Sequence, residues 1–495
     1  MAEIKGALRS IGDAQMHDVK PYWQNYIDGA WVDGRAGRID VVDPATGTVL
    51  AAHALADAGD VDRAVQAAKR IHLSGDLRPI ERGRLVQAMG RYLLDHKDDI
   101  ARLLTLEQGK PLWEAIIEVE GAALYFEYYG NQASTVEGRS IPLGAGYFDW
   151  TEHEPLGVSG QIIPWNYPLE MTARSLSAAL ATGNACVVKT PELTPLTNAW
   201  FAHAAEAVGL PRGAVNILCG LGHEAGAALS AHPDVNQIVF TGSVPTGIAI
   251  AKTAAGNVVP CVLELGGKSA AIVHADADLE AFEADIRWGI YFNAGQVCSA
   301  MSRVIVHESR HAEMLERAEA VARGLSVGPG VERDTFGANM GAMVSNAQRD
   351  RAVQMVAAAQ DQKAQLVAGG HALNHVGAFM EPTVLSVAPD MEIAQQEVFG
   401  PVLSVMPFRS DAEAIEIANG TDFGLVAGVF TADLDRATSA ARALRAGQVF
   451  VNEWYAGGVE TPFGGYGKSG YGREKGREAL WNYVQTKNVA VKLKG

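Results

Sequence analysis

Short apolar runs alternate with amphipathic stretches through the middle of the chain. Continuous apolar runs at 184–191, 214–220 and 236–244 predict buried strands, and the stretches at 195–210 and 223–232 between them predict helices. Strands joined by helices of this length form parallel βαβ units. The pattern therefore predicts an open α/β sheet, with ligand sites at the carboxyl ends of its strands.

A second alternating region follows "LELGG" (263–267) and predicts a second α/β domain. Its segments are "SAAIVHADADLEAFEADIRWGIYF" (269–292), "SRVIVHE" (302–308), a helix near 309–324, "AQLVAGG" (364–370) and "PVLSVMPF" (401–408). Two other segments, 146–158 and 482–493, show period-two stretches with no helix between strands. We expect these two to form a small β element that projects from the body.

Composition and charge narrow the function classes. A chain of 495 residues, 48% hydrophobic, can bury a large core and usually divides into two or three domains. Its 41 Lys and Arg against 57 Asp and Glu give a net charge of −16, which disfavours nucleic-acid binding. The four cysteines are far apart and form no C-x-x-C pair, so we expect a reducing compartment, no disulfide framework and no metal site.

Targeting signals are not evident in the sequence. The segment "MAEIKGALRSIGDAQ" is charged throughout and lacks the apolar stretch of a secretory signal. No apolar run approaches the roughly 20 residues that span a bilayer. We therefore expect a cytoplasmic protein that does not enter a membrane.

Two strand ends are rich in glycine. "GLGHEAG" and "TGSVPTG" each place small residues between a predicted strand and a predicted helix. Free N–H groups and the helix dipole at such a junction favour a phosphate group. A tight strand-to-helix turn with no ligand explains either segment equally well when it is taken alone.

Three side chains stand out as candidates for chemistry. Cys298 follows Gly295 in an open stretch, where main-chain N–H groups can help to activate a thiolate and bind an oxyanion. Glu264 lies in an apolar strand, so it either reaches a partner or lies at a cleft. Asn166 is held in an aromatic, proline-flanked turn. The alternatives are an inert core cysteine and a purely structural turn, whereas Cys186, Cys219 and Cys261 are interpreted as packing residues.

Taken in order, seven segments closely resemble the NAD(P)-dependent aldehyde dehydrogenase superfamily over essentially the whole chain. They are "PWNYP", "KTPE", "FTGSVPTG", "LELGGKS", "FNAGQVCSA", "EVFGPV" and "PFGGYGKSGYGRE". The resemblance implies an α/β subunit in three parts. These are a Rossmann-like coenzyme domain (1–136 and 156–264), an α/β catalytic domain (265–470) and a small β oligomerisation element (137–155 and 480–495).

The same resemblance implies a role for each candidate. Cys298 matches the nucleophile that adds to the aldehyde carbon, and Asn166 matches the oxyanion hole, together with the Cys298 N–H. Glu264 matches the base that activates water to hydrolyse the thioester. The implied reaction oxidises a small-molecule aldehyde to the carboxylic acid, through a thiohemiacetal, hydride transfer to the nicotinamide, and a thioester.

Cofactor positions follow from the resemblance in the same way. Lys189 and Glu192 match residues near the adenosine ribose, where the carboxylate of Glu192 would repel a 2′-phosphate, so NAD is favoured over NADP. Ser243 matches a pyrophosphate contact. Glu397 and Phe399 match residues that position the nicotinamide ribose and ring. The remaining residues expected along the cofactor crevice are Ile163, Pro164, Trp165, Gly222 and Leu265.

Several questions stay open at the level of sequence. One alternative is an enzyme that transfers the acyl group to CoA, but such a relative typically lacks the base matched by Glu264. Another alternative is a non-catalytic protein, which would not need Cys298, Asn166 and Glu264 together. A Cys–His thiol hydrolase is disfavoured because the seven segments contain no histidine. The resemblance implies a homodimer or homotetramer. Aromatic substrate walls are expected from Tyr167, Trp288, Tyr291, Phe292, Trp454, Tyr455 and Phe463.

Overall fold

The computed structural model describes residues 19–71, 73–331, 337 and 339–494. The segment in which no secretory signal is expected, 1–15, lies outside the described residues, as do the first part of the expected coenzyme domain and residue 495 of the expected β element. No helix in the described ranges is both long and apolar enough to cross a bilayer.

The first described part of the chain has short strands followed by five helices. A reciprocal cap begins the first helix, because Asp57 Oδ1 accepts from the N–H of Asp60 and Asp60 Oδ2 accepts from the N–H of Asp57. The elements are β1 (Tyr22–Trp23), β2 (Asn25–Ile27), β3 (Ala30–Val32), β4 (Arg38–Val42), β5 (Val49–Ala54), α1 (Ala58–Lys69), α2 (Leu73–Asp76), α3 (Pro79–Asp95), α4 (Lys97–Gln108) and α5 (Leu112–Gln132).

Strands and helices alternate in the next part, as the hydrophobic pattern predicts. The elements are β6 (Tyr147–Pro155), β7 (Val158–Ile162), α6 (Pro168–Thr182), β8 (Ala185–Thr190), α7 (Ala199–Val208), β9 (Val215–Cys219), α8 (Ala227–Ala231), β10 (Gln237–Thr241), α9 (Val244–Ala255) and β11 (Cys261–Glu264). A π-helical turn, Gly222–Gly226, precedes α8. The expected start of α7 at 195 is wrong, because the carboxylate of Glu107 accepts from the N–H groups of Leu196 and Thr197 and holds them in a turn.

The second alternating region continues to the C-terminal part. Its elements are β12 (Ala270–Val273), α10 (Leu279–Ile286), β13 (Arg303–His307), α11 (His311–Arg323), β14 (Ser326–Val327), β15 (Asn339–Met340), α12 (Asn346–Asp361), β16 (Gln365–Ala368), β17 (Thr383–Ser386), α13 (Glu392–Gln395), β18 (Val402–Phe408), α14 (Asp411–Asn419), β19 (Val426–Phe430), α15 (Leu434–Ala443), β20 (Gln448–Val451), β21 (Gly470–Tyr471) and β22 (Val484–Lys492).

An eight-stranded sheet has the strand order β21-β11-β10-β7-β8-β9-β2-β3. Its five central strands are parallel, and antiparallel strands complete both edges. From β7 the chain first builds outward to β8 and β9, then returns to place β10 on the other side of β7. Such a topological switch point opens a crevice at the carboxyl ends of the strands. Apolar clusters cover both faces of this sheet.

The second large sheet has seven strands, in the order β16-β17-β18-β13-β12-β19-β20. All of its pairs are parallel except that of β16 with β17. Its core includes apolar side chains of β12, β13, β18 and β19 together with those of α10 and α11. The two open α/β sheets confirm the fold class expected from the sequence, whereas the domain boundaries stay a prediction.

The period-two segments pair with each other. Strand β6 is antiparallel to β22 over nine residue pairs, from Tyr147 opposite Lys492 to Pro155 opposite Val484. The two strands form a separate two-stranded sheet. Tyr147, Phe148 and Val491 expose 38–51% of their surface on this ribbon. The alternation of the sequence thus produces a β ribbon with exposed apolar side chains.

Candidate active site

A cavity of about 570 Å³ lies at the switch point between β7 and β10. The loops after β7, β10 and β11 and the loop before β13 all contribute to its wall, together with side chains of α5 and α6. The predicted site residues that line it are Pro164, Trp165, Asn166, Ser243, Glu264, Leu265, Cys298, Glu397 and Phe399. The structure therefore brings the three candidates for chemistry into one cavity, together with six of the residues expected at the cofactor.

The loop that presents Cys298 has an uncommon backbone. Asn293, Ala294 and Gly295 adopt positive φ angles of 50°, 51° and 72° in succession. A Cβ on Gly295 would lie 2.1 Å from the main-chain oxygen of Gly400, so no other residue fits that position without moving one of the two loops. The sequence predicts the sharp turn at Gly295 but not its extension to the two residues before it.

Hydrogen bonds fix this loop from several sides. The Asn293 N–H donates to Glu114 Oε2 at 2.9 Å, and Gln296 Oε1 accepts from the N–H of Val344 at 2.9 Å. The side chain of Asn293 also donates to the main-chain oxygen of Asn166 at 2.9 Å. Cys298 is therefore presented on a backbone that is already ordered.

The thiol of Cys298 is held in its neutral form. Burial raises its pKa to about 12, Arg174 opposes this rise, and Glu264 and Glu397 add to it. The residue is nevertheless partly exposed, and it lines the cavity. A thiol of this kind needs a base or a bound cation before it reacts as a thiolate.

Asn166 connects the turn after β7 with the cysteine loop. Its Nδ2 donates to the main-chain oxygen of Gln296 at 2.9 Å, and its side chain is buried beside the cavity. Because a primary amide has two N–H donors, one remains for a ligand after this bond. The geometry is suited to a fixed donor that acts on an oxygen atom near Cys298.

Glu264 ends β11 and is buried beside the same cavity. Neither carboxylate oxygen has a hydrogen-bond partner among the described residues. Burial raises the pKa of this carboxyl well above its usual value, although Arg174 opposes the rise. Of the two possibilities raised by the sequence, the structure places Glu264 at a cleft, where a raised pKa makes its carboxylate a stronger proton acceptor.

Arg174 and Glu474 form a buried ion pair that the sequence did not predict. Arg174 extends from α6, and its Nη2 donates to Thr241 Oγ1 at 3.3 Å and contacts the Glu474 carboxylate. Both side chains are 3% exposed. An arginine within the apolar run of α6 indicates a buried partner. The sequence does not identify that partner, because Glu474 lies 300 residues further along the chain.

The other expected cofactor residues lie in two groups. Ser243 caps α9, and Glu397 Oε1 accepts from the N–H of Gly267 at 2.9 Å. The ring of Phe399 lies edge-on to that of Trp165, with centroids 5.3 Å apart. These residues meet at the cavity wall.

Ile163, Lys189, Glu192 and Gly222 lie outside the cavity lining, at the neighbouring strand ends. Lys189 Nζ is 2.8 Å from Glu192 Oε2, and the N–H of Ile163 donates to the Lys189 oxygen at 3.1 Å. Although burial acts to raise it, the pKa of Glu192 is lowered by Lys189. Glu192 is thus a paired, ionised acceptor at the end of β8.

These two groups together suit a dinucleotide. The start of the twelve-residue helix α9 offers free N–H groups to a pyrophosphate, and Glu192 offers a carboxylate to ribose hydroxyls. The absence of a side chain at Gly266 allows the Glu397 carboxylate to lie close to the main chain, because a Cβ there would lie 2.3 Å from Glu397 Oε2. The residues present fit NAD.

The expected aromatic wall is partly wrong. Tyr167, Trp288, Phe292, Tyr455 and Phe463 line the cavity. Tyr291 and Trp454 instead belong to the core of the second sheet, where Tyr291 is 2% and Trp454 4% exposed. Further cavity residues that the sequence analysis missed are Tyr125, Glu170, Arg174, Phe450 and Lys475.

Comparison with known proteins gives consistent results. The family model described as "Aldehyde dehydrogenase family" matches residues 31–489. Retinal dehydrogenase 2 of Homo sapiens is 38% identical over 480 residues, covering 95% of this chain and 92% of the human protein.

Two solved structures extend this likeness to the fold. The structure of PnpE from Pseudomonas sp. WBC-3, also solved with nicotinamide adenine dinucleotide, is 40% identical, has a TM-score of 0.93 and covers 96% of this chain and 98% of its own. The NAD+ complex of aldehyde dehydrogenase from Bacillus cereus is 37% identical, with a TM-score of 0.93 and coverage of 96% and 99%.

Proposed function

Because the chain belongs to the aldehyde dehydrogenase family and is an NAD-dependent enzyme that oxidises an aldehyde to the carboxylic acid, we propose that Cys298, Asn166 and Glu264 perform this reaction. The observation that carries the assignment is their position on one cavity at the switch point of the coenzyme sheet. The loop geometry of Cys298 and the unpartnered carboxylate of Glu264 support it.

Cys298 is the nucleophile. Its sulfur attacks the carbonyl carbon, the thiol proton leaves to a base, and the carbonyl oxygen becomes an oxyanion. The side-chain N–H of Asn166 and the main-chain N–H of Cys298 stabilise this oxyanion. When NAD is bound, it accepts the hydride that leaves the aldehyde carbon.

Glu264 acts on the resulting thioester of Cys298. Its carboxylate takes a proton from water as the water oxygen attacks the acyl carbon, after which the carbon–sulfur bond breaks and the thiol is restored. The carboxylic acid then leaves. Neighbouring Arg174 favours the ionised form of Glu264 that this step needs.

Glu192 sets the preference for NAD over NADP. Its carboxylate is ionised and paired with Lys189, so it accepts hydrogen bonds from ribose hydroxyls and repels a 2′-phosphate. Ser243, at the start of α9, faces the pyrophosphate, and Glu397 and Phe399 position the nicotinamide end.

One experiment tests the assignment directly. Formation of reduced NAD is followed by absorbance across a panel of aldehydes, with and without CoA, for the wild type and for Cys298→Ala. We expect CoA-independent formation of carboxylic acid by the wild type and none by the variant. Acyl-CoA as the product would identify the CoA-acylating alternative, and turnover by Cys298→Ala would remove Cys298 from the reaction.

The ribbon of β6 and β22 is proposed to join subunits into a homodimer or homotetramer. Its exposed apolar side chains, among them Phe148 and Val491, support this role. Light scattering of the wild type and of Phe148→Glu would test it, with a smaller assembly expected for the variant. The cytoplasmic location stays a prediction of the sequence.

A further inference from the structure

Lys475 places an unpaired ammonium group in the wall of the active-site cavity. Among the described residues, its Nζ has neither a hydrogen-bond acceptor nor a carboxylate within ion-pair distance, and it lies 5.9 Å from the centroid of the Phe463 ring. Burial lowers its pKa and Arg174 adds to that effect, while Glu170, Glu460 and Cys298 oppose it. A cation in such surroundings is more favourable with an anion beside it.

The backbone at Lys475 is fixed in the left-handed region. Its φ is 61°, which is uncommon for residues other than glycine, asparagine and aspartate. On one side, Glu474 and Phe463 exchange two main-chain hydrogen bonds, of 2.6 and 2.7 Å, and on the other Gly476 donates to the Val459 oxygen at 2.8 Å. Residues held in such sparsely populated conformations cluster at binding and active sites.

A second cation lies close to the same ring. The guanidinium carbon of Arg174 is 5.7 Å from the centroid of Phe463. Glu474 already neutralises Arg174, but the Arg174 Nε is buried and has no hydrogen-bond partner among the described residues. Arg174 is therefore already paired, whereas Lys475 has no carboxylate partner among the described residues.

The carboxyl groups of the cavity lining do not form an ion pair with Lys475. Glu170, Glu264 and Glu397 all line the cavity, but none of them lies within ion-pair distance of the Lys475 Nζ. Glu474, the residue before Lys475, is paired with Arg174. Among the described residues, Lys475 is therefore a cavity cation that no carboxylate directly neutralises.

We propose that the enzyme recognises aldehydes that carry an anionic group, such as a carboxylate, at the end of the chain away from the aldehyde, and that Lys475 binds this group. The inference rests on the proposed function, because it takes Cys298 as the point of attack. The rings of Phe463 and Tyr125 line the same cavity. A trimethylammonium aldehyde is excluded as the preferred substrate, since Lys475 repels it despite the aromatic wall.

The test compares three aldehydes of equal chain length. These are hexanal, its ω-carboxylate analogue and its ω-trimethylammonium analogue, each assayed by formation of reduced NAD. We expect the wild type to have the highest kcat/KM for the carboxylate analogue. In Lys475→Asn, the ratio of kcat/KM for the carboxylate analogue over that for hexanal should fall about ten- to a hundredfold, mainly through KM, because a charge-assisted bond is lost.

Matched variants separate this effect from misfolding. Asparagine tolerates a positive φ, which makes it the neutral replacement most compatible with the backbone at 475. Lys475→Arg should retain most of the preference. Lys468→Asn makes the same change at an exposed lysine that is 2.6 Å from Asp422 and outside the cavity, so it should leave the ratio as in the wild type.

The outcomes distinguish a failure of the proposed anion subsite from a failure of the proposed function. A wild type that prefers hexanal or the trimethylammonium analogue would overturn the anion subsite and leave the aldehyde dehydrogenase reaction standing. An unchanged ratio in Lys475→Asn would overturn the role of Lys475. If none of the three aldehydes or the wider panel were oxidised, the proposed function itself would fail. Calorimetric binding of the dicarboxylate product to the NAD-free protein, weakened in Lys475→Asn, gives a readout that does not depend on turnover.

Discussion

Asn166 donates a hydrogen bond from its side-chain nitrogen to the main-chain oxygen of Gln296, 2.9 Å away. This bond joins the turn after β7, in the eight-stranded sheet, to the loop that presents Cys298. If Asn166 is the oxyanion donor, as proposed, its orientation is set before substrate enters, so little reorganisation is required during the reaction.

Replacing Asn166 should affect turnover far more than folding. For Asn166→Ala we expect a fall in kcat of about a hundred- to a thousandfold, the usual effect of losing one oxyanion donor. The rate of hydride transfer in a single turnover is the measurement, and circular dichroism is the control for folding. A single-turnover rate equal to that of the wild type would show that Asn166 does not hold the oxyanion.

The reactivity of Cys298 should increase steeply with pH in the NAD-free enzyme. Because burial raises its pKa to about 12, the thiolate fraction is small at neutral pH and grows about tenfold per pH unit. Alkylation by iodoacetamide, followed by mass spectrometry of the peptide containing Cys298, should therefore show no plateau below about pH 10. Cys298→Ala supplies the background from the other cysteines, and a plateau near neutral pH would contradict the expectation.

Glu264 should be needed after hydride transfer. In Glu264→Gln the steady-state rate should drop, whereas a burst of reduced NAD of about one equivalent per site persists, because water is no longer deprotonated at the thioester. Acyl-enzyme should then be visible as added mass on Cys298, and hydroxylamine should partly restore turnover. Loss of the burst along with the steady state would assign Glu264 to activation of the thiol as well.

Coenzyme choice should respond to Glu192. In Glu192→Gln the carboxylate that repels a 2′-phosphate is lost, so the KM for NADP should decrease and the preference for NAD should narrow. The KM for NAD, measured in parallel, shows how much ribose binding is lost. A wild type that already prefers NADP would refute the role of Glu192.

Breaking the ion pair of Arg174 and Glu474 should lower the free energy of unfolding. Arg174→Met leaves Glu474 as an uncompensated buried carboxylate, and we expect a loss of about 3–5 kcal/mol in the free energy of unfolding. Denaturant unfolding measures this loss, and Arg174→Lys, which keeps the charge, should recover much of it. A loss below about 1 kcal/mol would mean that the pair is dispensable.

The sequence predicted correctly those features that depend on residues close together along the chain. Apolar runs such as that of β8 predicted buried strands at the right positions, and the ordered motifs led to Cys298, Asn166 and Glu264, which the structure places on one cavity. The prediction that α7 begins at residue 195 was wrong, because Glu107, about 90 residues earlier in the chain, accepts hydrogen bonds from the turn that precedes α7.

Long-range contacts account for the other failures. Nothing near Lys475 in the sequence shows that its side chain enters the cavity, and nothing near Arg174 identifies Glu474 as its partner. Tyr291 and Trp454 lie close to cavity residues along the chain, but they turn into the core. Which face a side chain takes in an irregular loop depends on φ and ψ values that hydrophobic patterning does not specify.

The pairing of β6 with β22 has a consequence for protein synthesis. More than 300 residues separate the two strands, and β21, which completes the edge of the eight-stranded sheet beside β11, is also made late. While the ribosome is still translating the seven-stranded sheet, β6 has no partner strand and the edge of β11 is open to other chains. Both unpaired edges are closed only after the segment beyond residue 470 has emerged, which makes the order of synthesis part of how this fold avoids edge-to-edge association.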